Sequence, residues 1–461
     1  MTGPSTPDSP GNRAVHDATT CKVALLGFGT VGSSVAKILC ERSNAHLRLT
    51  HVLNRNVERK KVDWLPAGVR WTENIDEVLA SDAEIVVEVM GGLQPSGDWI
   101  RRALAAGKSV VTANKQLIAQ HGPELTALAA QKNQQIQFGA SVAGGVPVIS
   151  GLHEGLAGDE LFKIQGILNG TCNYILSQIE ANGVPFATAL REAQKLGFAE
   201  ADPTEDVEGL DARAKLAILA RVGLHCYVAP TSILARSISA IDAVDFEYAN
   251  QLGCTIRQIS WAELNQTSLG GSADSPGNDA PKNDASKNDT RKKDEIFAAV
   301  QPALVELSSP LARVEGSKNM LIATGKYGGE TVFGGHGAGG HPTAVAIVSD
   351  ILGIARARRG ECSYAGQPIE KKPSVTNDFS AKHYLRFLVK DRPGIIASLA
   401  TILAQSGINI DAVVQKPGCP KSHLPFLITL EECKASHVEE AVGKINALDF
   451  LVQPCLHLPI L

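Results

Sequence analysis

Two lysines and a run of carboxylates are the residues best placed to do chemistry. The richest segment is Gly197-Phe198-Ala199-Glu200-Ala201-Asp202-Pro203-Thr204-Glu205-Asp206-Val207-Glu208-Gly209-Leu210-Asp211-Ala212-Arg213-Ala214-Lys215. Pro203 ends any preceding helix and permits a new one just after it. From about Val207, the residues Leu210, Ala214 and Ala217 recur at helical spacing, so Asp211 and Lys215, four apart, share one side. Glu200 and Asp206 lie in or near the loop leading into that helix, within reach of one cleft. The set suits oxidation of an alcohol that carries an ammonium group. Hydride must leave carbon and a proton must leave oxygen, and a lysine can move the proton where burial or a second cation lowers its pKa. Carboxylates can hold the ammonium. By spacing alone the same residues also read as an ion pair on a solvated helix, worth at most about 0.5 kcal/mol. The second lysine, Lys115, follows Val110-Val111-Thr112-Ala113-Asn114, just past the carboxyl end of an expected strand. Ligands of open α/β sheets bind at that edge, so Lys115 either faces cofactor and substrate or is a surface lysine opening a helix.

A glycine loop supplies the cofactor reading. Gly27-Phe28-Gly29-Thr30-Val31-Gly32 follows an apolar strand, Lys22–Leu26, and opens a helix. Glycines there allow a tight turn, a close backbone approach to a pyrophosphate and close helix–strand packing, while the helix N-terminus offers unpaired N–H groups. The second strand ends at Leu53-Asn54-Arg55, where many NAD enzymes place an acid for the ribose 2′-hydroxyl. A guanidinium suits a 2′-phosphate instead, so Arg55 points to NADP over NAD. The competing reading is a solvated basic turn, since Arg59, Lys60 and Lys61 follow closely.

The elements that must position these groups give an α/β fold class. Apolar strands at Leu47–Leu53, Glu84–Val89, Ser109–Thr112 and Gln135–Phe138 alternate with helical stretches, notably Trp99–Ala106 and Glu124–Lys132. Residues 21–150 thus read as a doubly wound, Rossmann-type domain, completed by a return at about 317–358. Residues 151–316 read as an α+β substrate and dimerisation domain with a strand at Phe162–Leu168. A polar insertion at 265–295 contains the near-repeat KNDASKNDT and has too little apolar area to order itself. Residues 359–381 read as a linker, and 382–461 follow a β-α-β-β-α-β, ferredoxin-like pattern. The first 20 residues, rich in Pro, Ser, Thr and Gly, read as a disordered tail without the apolar run of a signal peptide. A net charge of −4 over 461 residues gives no basic field for nucleic acid or an anionic membrane. Nine cysteines without a C-x-x-C pair fit a reducing, cytoplasmic setting and no zinc site. His336 and His341 flank a glycine loop without a third ligand at sensible spacing.

Taken together, residues 22–352 resemble homoserine dehydrogenases. The resemblance rests on GFGTVG from Gly27, TANK ending at Lys115, SVAGGVPVI from Ser141 and GILNGTCNYIL from Gly166. It rests further on GFAEADPTEDVEGLDARAK ending at Lys215 and GAGGHPTAVAIVSDIL from Gly337. It implies reversible NAD(P)-linked interconversion of L-homoserine and L-aspartate 4-semialdehyde, a step of threonine, methionine and isoleucine biosynthesis. By matched position, Lys215 would be the proton donor or acceptor, and Lys115 would contact cofactor and substrate. Glu200 and Asp211 would bind substrate, and Asp206 would shape the pocket. Phe28, Thr30, Val31 and Arg55 would line the cofactor site, with Gly170, Gly337 and Gly339 closing over its nicotinamide side. Family members commonly hold a monovalent cation such as sodium through a glutamate just before the SVAGG segment. Here Gly139 stands in its place, leaving the backbone carbonyls of Val142, Gly144 and Val146 and a weaker site. On the residues alone, another amino-acid dehydrogenase of this fold and a silent nucleotide and amino-acid sensor remain open; the two lysines argue against the sensor.

Residues 383–459 resemble an ACT domain, a small-molecule sensor. Leu385, Phe387 and Val389 alternate on a first strand, Asp391-Arg392-Pro393-Gly394 turns, and Ile395 to Gln405 follows as a helix. The resemblance implies allosteric control with L-threonine as effector, ligand bound at an interface between paired modules, and assembly as a homodimer or homotetramer. The pattern also fits a ferredoxin-like domain used only for association.

Overall fold

The computed structural model describes residues 20–41, 46–265, 295–360, 372–415 and 418–461. The expected tail, nearly all of the polar insertion and the middle of the linker lie outside the described residues. The described residues fall into two compact units, one lying within 1–145 and 339–367, the other within 146–338 and 368–461.

The first unit holds six strands, β1 (Cys21–Leu26), β2 (Leu47–Leu53), β3 (Arg70–Thr72), β4 (Ile85–Glu88), β5 (Ser109–Thr112) and β6 (Ile136–Gln137). Their order is β3-β2-β1-β4-β5-β6, with every pairing parallel. That order reverses between β1 and β4, the point where dinucleotides bind such sheets. The strands are near-continuous apolar runs because helices cover both faces. Val23, Leu25, Val35, Val52, Ile85, Val87 and Val111 pack in one core with Ile347, Ile351 and Ile354 of the helix Gly340–Arg358. The expected return to this domain is therefore narrower than 317–358. Residues 318–336 instead form β11 (Lys318–Gly325) and β12 (Gly329–His336), an antiparallel pair in the other unit.

The second unit is built on one large sheet that also contains β7 (Leu161–Ile167), β8 (Leu234–Ala235), β9 (Cys254–Leu264), β10 (Glu295–Glu306), β13 (Ser374–Thr376), β14 (Ser380–Val389), β15 (Ile410–Gln415), β16 (Leu424–Lys434) and β17 (Leu456–Ile460). Its main path is β12-β11-β7-β9-β10-β17-β14-β16-β15, with β8 and β13 also pairing β10. The ferredoxin-like module (β14, helix Ile395–Gln405, β15, β16, helix Ala435–Ile445, β17) thus continues the sheet of the middle domain through β17. Tyr384, Leu427 and Leu458 of the module share a core with Ile175, Ile179, Phe246 and Leu304. The expected linker contributes β13, so it is partly structured.

Two neutral imidazoles close one face of this junction. The Nε2 of His457 lies 2.9 Å from Nδ1 of His383, and Nε2 of His383 lies 3.1 Å from the Cys433 carbonyl. A carbonyl only accepts, so His383 donates from Nε2 and His457 donates to its Nδ1. Burial, then the neighbouring His383 and Arg236, push the His457 pKa from its ordinary 6.5 down to about 3, and burial also lowers that of His383. A depressed histidine pKa means the unfolded chain binds protons first as pH falls. Stability is therefore complete above about pH 6.5 and is lost progressively towards pH 3. The expected melting temperature declines below that upper value, and His457→Leu flattens the decline; equal slopes in both proteins would refute this assignment.

Candidate active site

The first unit builds a phosphate cradle. Gly27 has a φ of +103°, a conformation costly for any other residue. A Cβ on Gly32 would stand 2.1 Å from the Gly27 carbonyl oxygen, whereas one on Gly29 would meet nothing within 4 Å. Two glycines thus close the turn and the third leaves space over it. Two helix N-termini meet at this loop, those of Thr30–Glu41 and Gly340–Arg358. Gly340 lies so close to the first that its Cβ would be 2.9 Å from Ser34 Oγ and Thr30 Cγ2. Gly339, with φ of +119°, is the N-cap of the second helix. This open space bounded by two positive helix ends fits a dinucleotide pyrophosphate.

Phe28 serves the loop through its backbone rather than its side chain. The ring is buried, edge-on to Trp71 with centroids 4.8 Å apart, and its N–H donates to Asn54 Oδ1 at 3.1 Å. Asn54 therefore ties the end of β2 to the loop, leaving exposed Arg55 as the residue beyond it. Val31 is half-buried against the core and Thr30 exposed.

Lys115 opens the helix Lys115–Gln131 beyond β5. Its neighbours in the TANK motif explain its placement. Thr112 Oγ1 donates to buried Glu88 Oε2 at 2.6 Å. The other Glu88 oxygen accepts the Met90 and Gly91 amides at 2.7 and 2.9 Å. Asn114 caps the helix by accepting the Leu117 amide at 3.1 Å and donates to the Gly92 carbonyl at 2.6 Å. Glu88 and Asn114 were not singled out from sequence, although a strand-end carboxylate without an obvious cation is a signal for such a backbone clamp.

The second unit holds the acidic segment. Pro203 precedes a short helix, Thr204–Val207, and Gly209 begins the helix Leu210–Gly223. Lys215 Nζ, 13% exposed, donates to the Leu168 carbonyl at 2.8 Å and to Asp211 Oδ2 at 2.7 Å. Asn169 links the carboxylates: its Nδ2 donates to Asp206 Oδ1 at 2.7 Å and Asp211 Oδ2 at 3.0 Å. Its Oδ1 caps the helix Gly170–Asn182 by accepting the Cys172 amide at 2.8 Å. Asn319 Nδ2 donates to the same Leu168 carbonyl at 2.9 Å. The glycines expected at the nicotinamide side have packing reasons here. A Cβ on Gly337 would overlap the Asn319 amide at 2.1 Å, and one on Gly170 would meet the Ser317 carbonyl oxygen at 2.6 Å.

The structure thus brings together Asp206, Asp211 and Lys215, with Asn169 and Asn319 as members that spacing did not reveal. Glu200 is exposed on the preceding loop and its side chain has no hydrogen bond among the described residues. Asp211 is only 3% exposed and its Oδ2 is shared between Lys215 and Asn169, so the carboxylate faces the lysine and not an open cleft.

At Gly139 the side-chain space is taken. Asp350 Oδ2 accepts the Gly139 amide at 2.8 Å, and a Cβ there would be 2.8 Å from Asp350 Oδ1. The Val146 carbonyl accepts the Val148 amide at 2.8 Å, Val142 is fully buried and Gly144 takes a positive φ. Among the described residues no cluster of three metal-binding side chains occurs.

A dinucleotide cradle on one domain and a lysine held against carboxylates on a second define an NAD(P)-dependent oxidoreductase. Family models agree: "Homoserine dehydrogenase, NAD binding domain" matches residues 27–139, "Homoserine dehydrogenase" 147–352 and "ACT domain" 383–450. The chain belongs to the homoserine dehydrogenase family. It is 37% identical to a homoserine dehydrogenase of Bacillus subtilis, over 86% of this chain and 88% of that one. It is 35% identical to one of Corynebacterium glutamicum, over 93% and 95%. Its fold is similar to a crystal structure of a homoserine dehydrogenase from Thiobacillus denitrificans, with a TM-score of 0.83 and 32% identity over 96% and 98% of the two chains. It is also similar to a hyperthermophilic archaeal homoserine dehydrogenase in complex with NADPH, with a TM-score of 0.58 and 25% identity over 74% and 98%.

Proposed function

We propose that Lys215 is the acid–base residue of this homoserine dehydrogenase and that its cofactor is NADP. The observation that carries the first part is the pair of hydrogen bonds to the Leu168 carbonyl and Asp211. An ammonium has three donors, and two are spent on fixing Lys215, leaving one direction for a substrate oxygen. In the reducing direction Lys215 gives its proton to the oxygen of L-aspartate 4-semialdehyde as that oxygen becomes an alkoxide. In the oxidising direction it removes the proton from the L-homoserine hydroxyl. The nicotinamide, when bound, supplies or accepts the hydride. Asp211 acts as a positioning residue for Lys215. Glu200 and Asp206 hold the substrate ammonium, and Lys115, at the carboxyl edge of β5, adds a cation for the developing alkoxide.

The NADP reading rests on Arg55. Asn54 is turned back to the Phe28 amide, so no acid follows β2 and the first exposed side chain is a guanidinium. Arg55→Glu is expected to raise the NADP KM by about 10- to 100-fold, as for loss of a charge-assisted phosphate contact of roughly 1.5–3 kcal/mol, while the NAD KM changes little. Steady-state kinetics with both cofactors test this; parallel changes would remove Arg55 from cofactor choice.

A bound sodium ion fits poorly at Gly139. The glutamate carboxylate is absent and the Asp350 carboxylate in its place already accepts the Gly139 amide, so a monovalent ion would be held more weakly. Turnover in choline chloride is expected to equal that in sodium chloride. Gly139→Glu is expected to destabilise the protein by about 1–3 kcal/mol through crowding against Asp350 and to create no sodium response; a sodium-dependent gain in rate would contradict this.

The ACT module supports control by an amino acid, and L-threonine is the effector we propose. Strand β15 ends the sheet with Val413 exposed, and Ile396 of the same module is exposed as well, which supports pairing of modules in a homodimer or homotetramer. Among the described residues no helix is long and apolar enough to cross a membrane. Eight described cysteines are unbridged, which supports a cytoplasmic enzyme.

A further inference from the structure

Glu88 is a fully buried carboxylate at the end of β4, and among the described residues it forms no ion pair. A carboxylate in such a place is costly unless its oxygens are hydrogen-bonded. Here they are, and the two oxygens face different loops. Oε1 accepts the Met90 and Gly91 amides, which fixes the loop after β4. Oε2 accepts the Thr112 hydroxyl, which ends β5 just before Lys115.

The loop after β4 borders open space. Gly91 and Gly92 take φ of +74° and +73°, and a Cβ on Gly91 would meet nothing within 4 Å. Both carbonyls are engaged, that of Gly91 by the Ser96 hydroxyl at 2.8 Å and that of Gly92 by Asn114 Nδ2. The loop also abuts the phosphate turn, since a Cβ on Gly27 would stand 2.9 Å from Met90 Cγ and 3.2 Å from the Val89 carbonyl oxygen. In a sheet of this order each half binds one mononucleotide, and the half from β4 onward takes the nicotinamide. The loop after β4 and Lys115 after β5 therefore border the same ring.

Thr112 joins these two borders. Its Oγ1 donates to Glu88 and accepts the Asn114 amide at 3.0 Å. A hydroxyl is the one small group able to do both at once. Asn114 then caps the helix that Lys115 opens and holds Gly92. We propose that Glu88, Thr112 and Asn114 are positioning residues of the reaction. They hold the loop after β4 and the Lys115 backbone as one frame, so nicotinamide and lysine cation keep a fixed separation. The proposal rests on the reading that Lys115 supplies a cation for the developing alkoxide. A misplacement of about 1 Å in such a group costs as much as roughly 100-fold in rate.

A double-mutant cycle in the full-length enzyme tests the frame. Thr112→Val keeps the shape and strand preference of the side chain and removes both hydrogen bonds. It is expected to lower kcat about tenfold. The NADPH Kd, read by fluorescence titration, should stay within about twofold, because Glu88 Oε1 still clamps the loop. Thr112→Ser retains the hydroxyl and should recover most of the rate. Lys115→Met alone should lose about 100-fold or more, and Thr112→Val added to it should cost less than about twofold further. A threonine that only stabilised the fold would cost the same factor in both backgrounds, and that result would overturn the proposal. So would a serine variant no faster than the valine one, or native turnover in Thr112→Val beside a slow Lys115→Met. Near-native turnover in Lys115→Met would instead overturn the reading of Lys115, and the frame with it.

Discussion

Lys215→Ala should lose about 10²- to 10⁴-fold in kcat, the range expected for removal of a general acid–base group, while NADPH still binds. The glycine loop, Arg55 and the two helix N-termini all belong to the first unit, whereas Lys215 is held entirely by groups of the second. Fluorescence titration of NADPH and steady-state rates in both directions separate the two properties. Alanine also leaves the buried Asp211 carboxylate without its cation, so some loss of stability accompanies it. Lys215→Arg controls for this: it retains a cation but does not release its proton, so it should melt nearer the native temperature and remain as inactive as alanine. Near-native kcat in either variant would overturn the assignment of Lys215.

The second large effect is expected at Asn169. One carboxamide donates to two carboxylates and caps a helix. Asn169→Ala removes the cap, costing about 0.5–2 kcal/mol, and leaves Asp206 and Asp211 without the donor between them. Asn169→Asp keeps a capping oxygen but places a third acid beside the other two. Both are expected to lower kcat/KM by about 100-fold, corresponding to roughly 2.7 kcal/mol of transition-state stabilisation. The alanine variant should recover nothing at low pH, whereas protonation should partly relieve the aspartate variant. A pH profile of kcat/KM distinguishes them, and identical profiles would reduce Asn169 to its capping role.

Much of the first unit was legible because its strands are continuous apolar runs bounded by glycines and helices; β2 and β5 fall where the periodicity places them. The middle sheet was not. Strand β9 carries Arg257, Gln258 and Ser260 among its apolar residues, all buried, so no alternation marks it. The Arg257 guanidinium donates to Glu180 at 2.8 Å and to the Ala312 carbonyl at 2.8 Å, partners far away in sequence. Strand β10 contains Pro302, which argues against a central strand. It is tolerated because the partner on one side changes along the strand. There β8 pairs with Ala299 and Val300, and β17 only with Leu304. The acidic segment and Lys215 stood out by composition and spacing. The asparagines that organise them did not, since a donor between carboxylates is needed only once the fold has brought those carboxylates together. Glu200 illustrates the converse, a residue near in sequence that shares no hydrogen bond with the cluster.

Strand β17 sits between β10 and β14, hydrogen-bonded to both, and the core beneath it draws side chains from both domains. The ACT module and the middle domain are therefore one structural piece. Deleting the module would strip Tyr384, Leu427 and Leu458 from the core that also packs the helix beginning at Gly170. Any change meant to alter the module alone must be a single substitution that leaves the shared sheet whole.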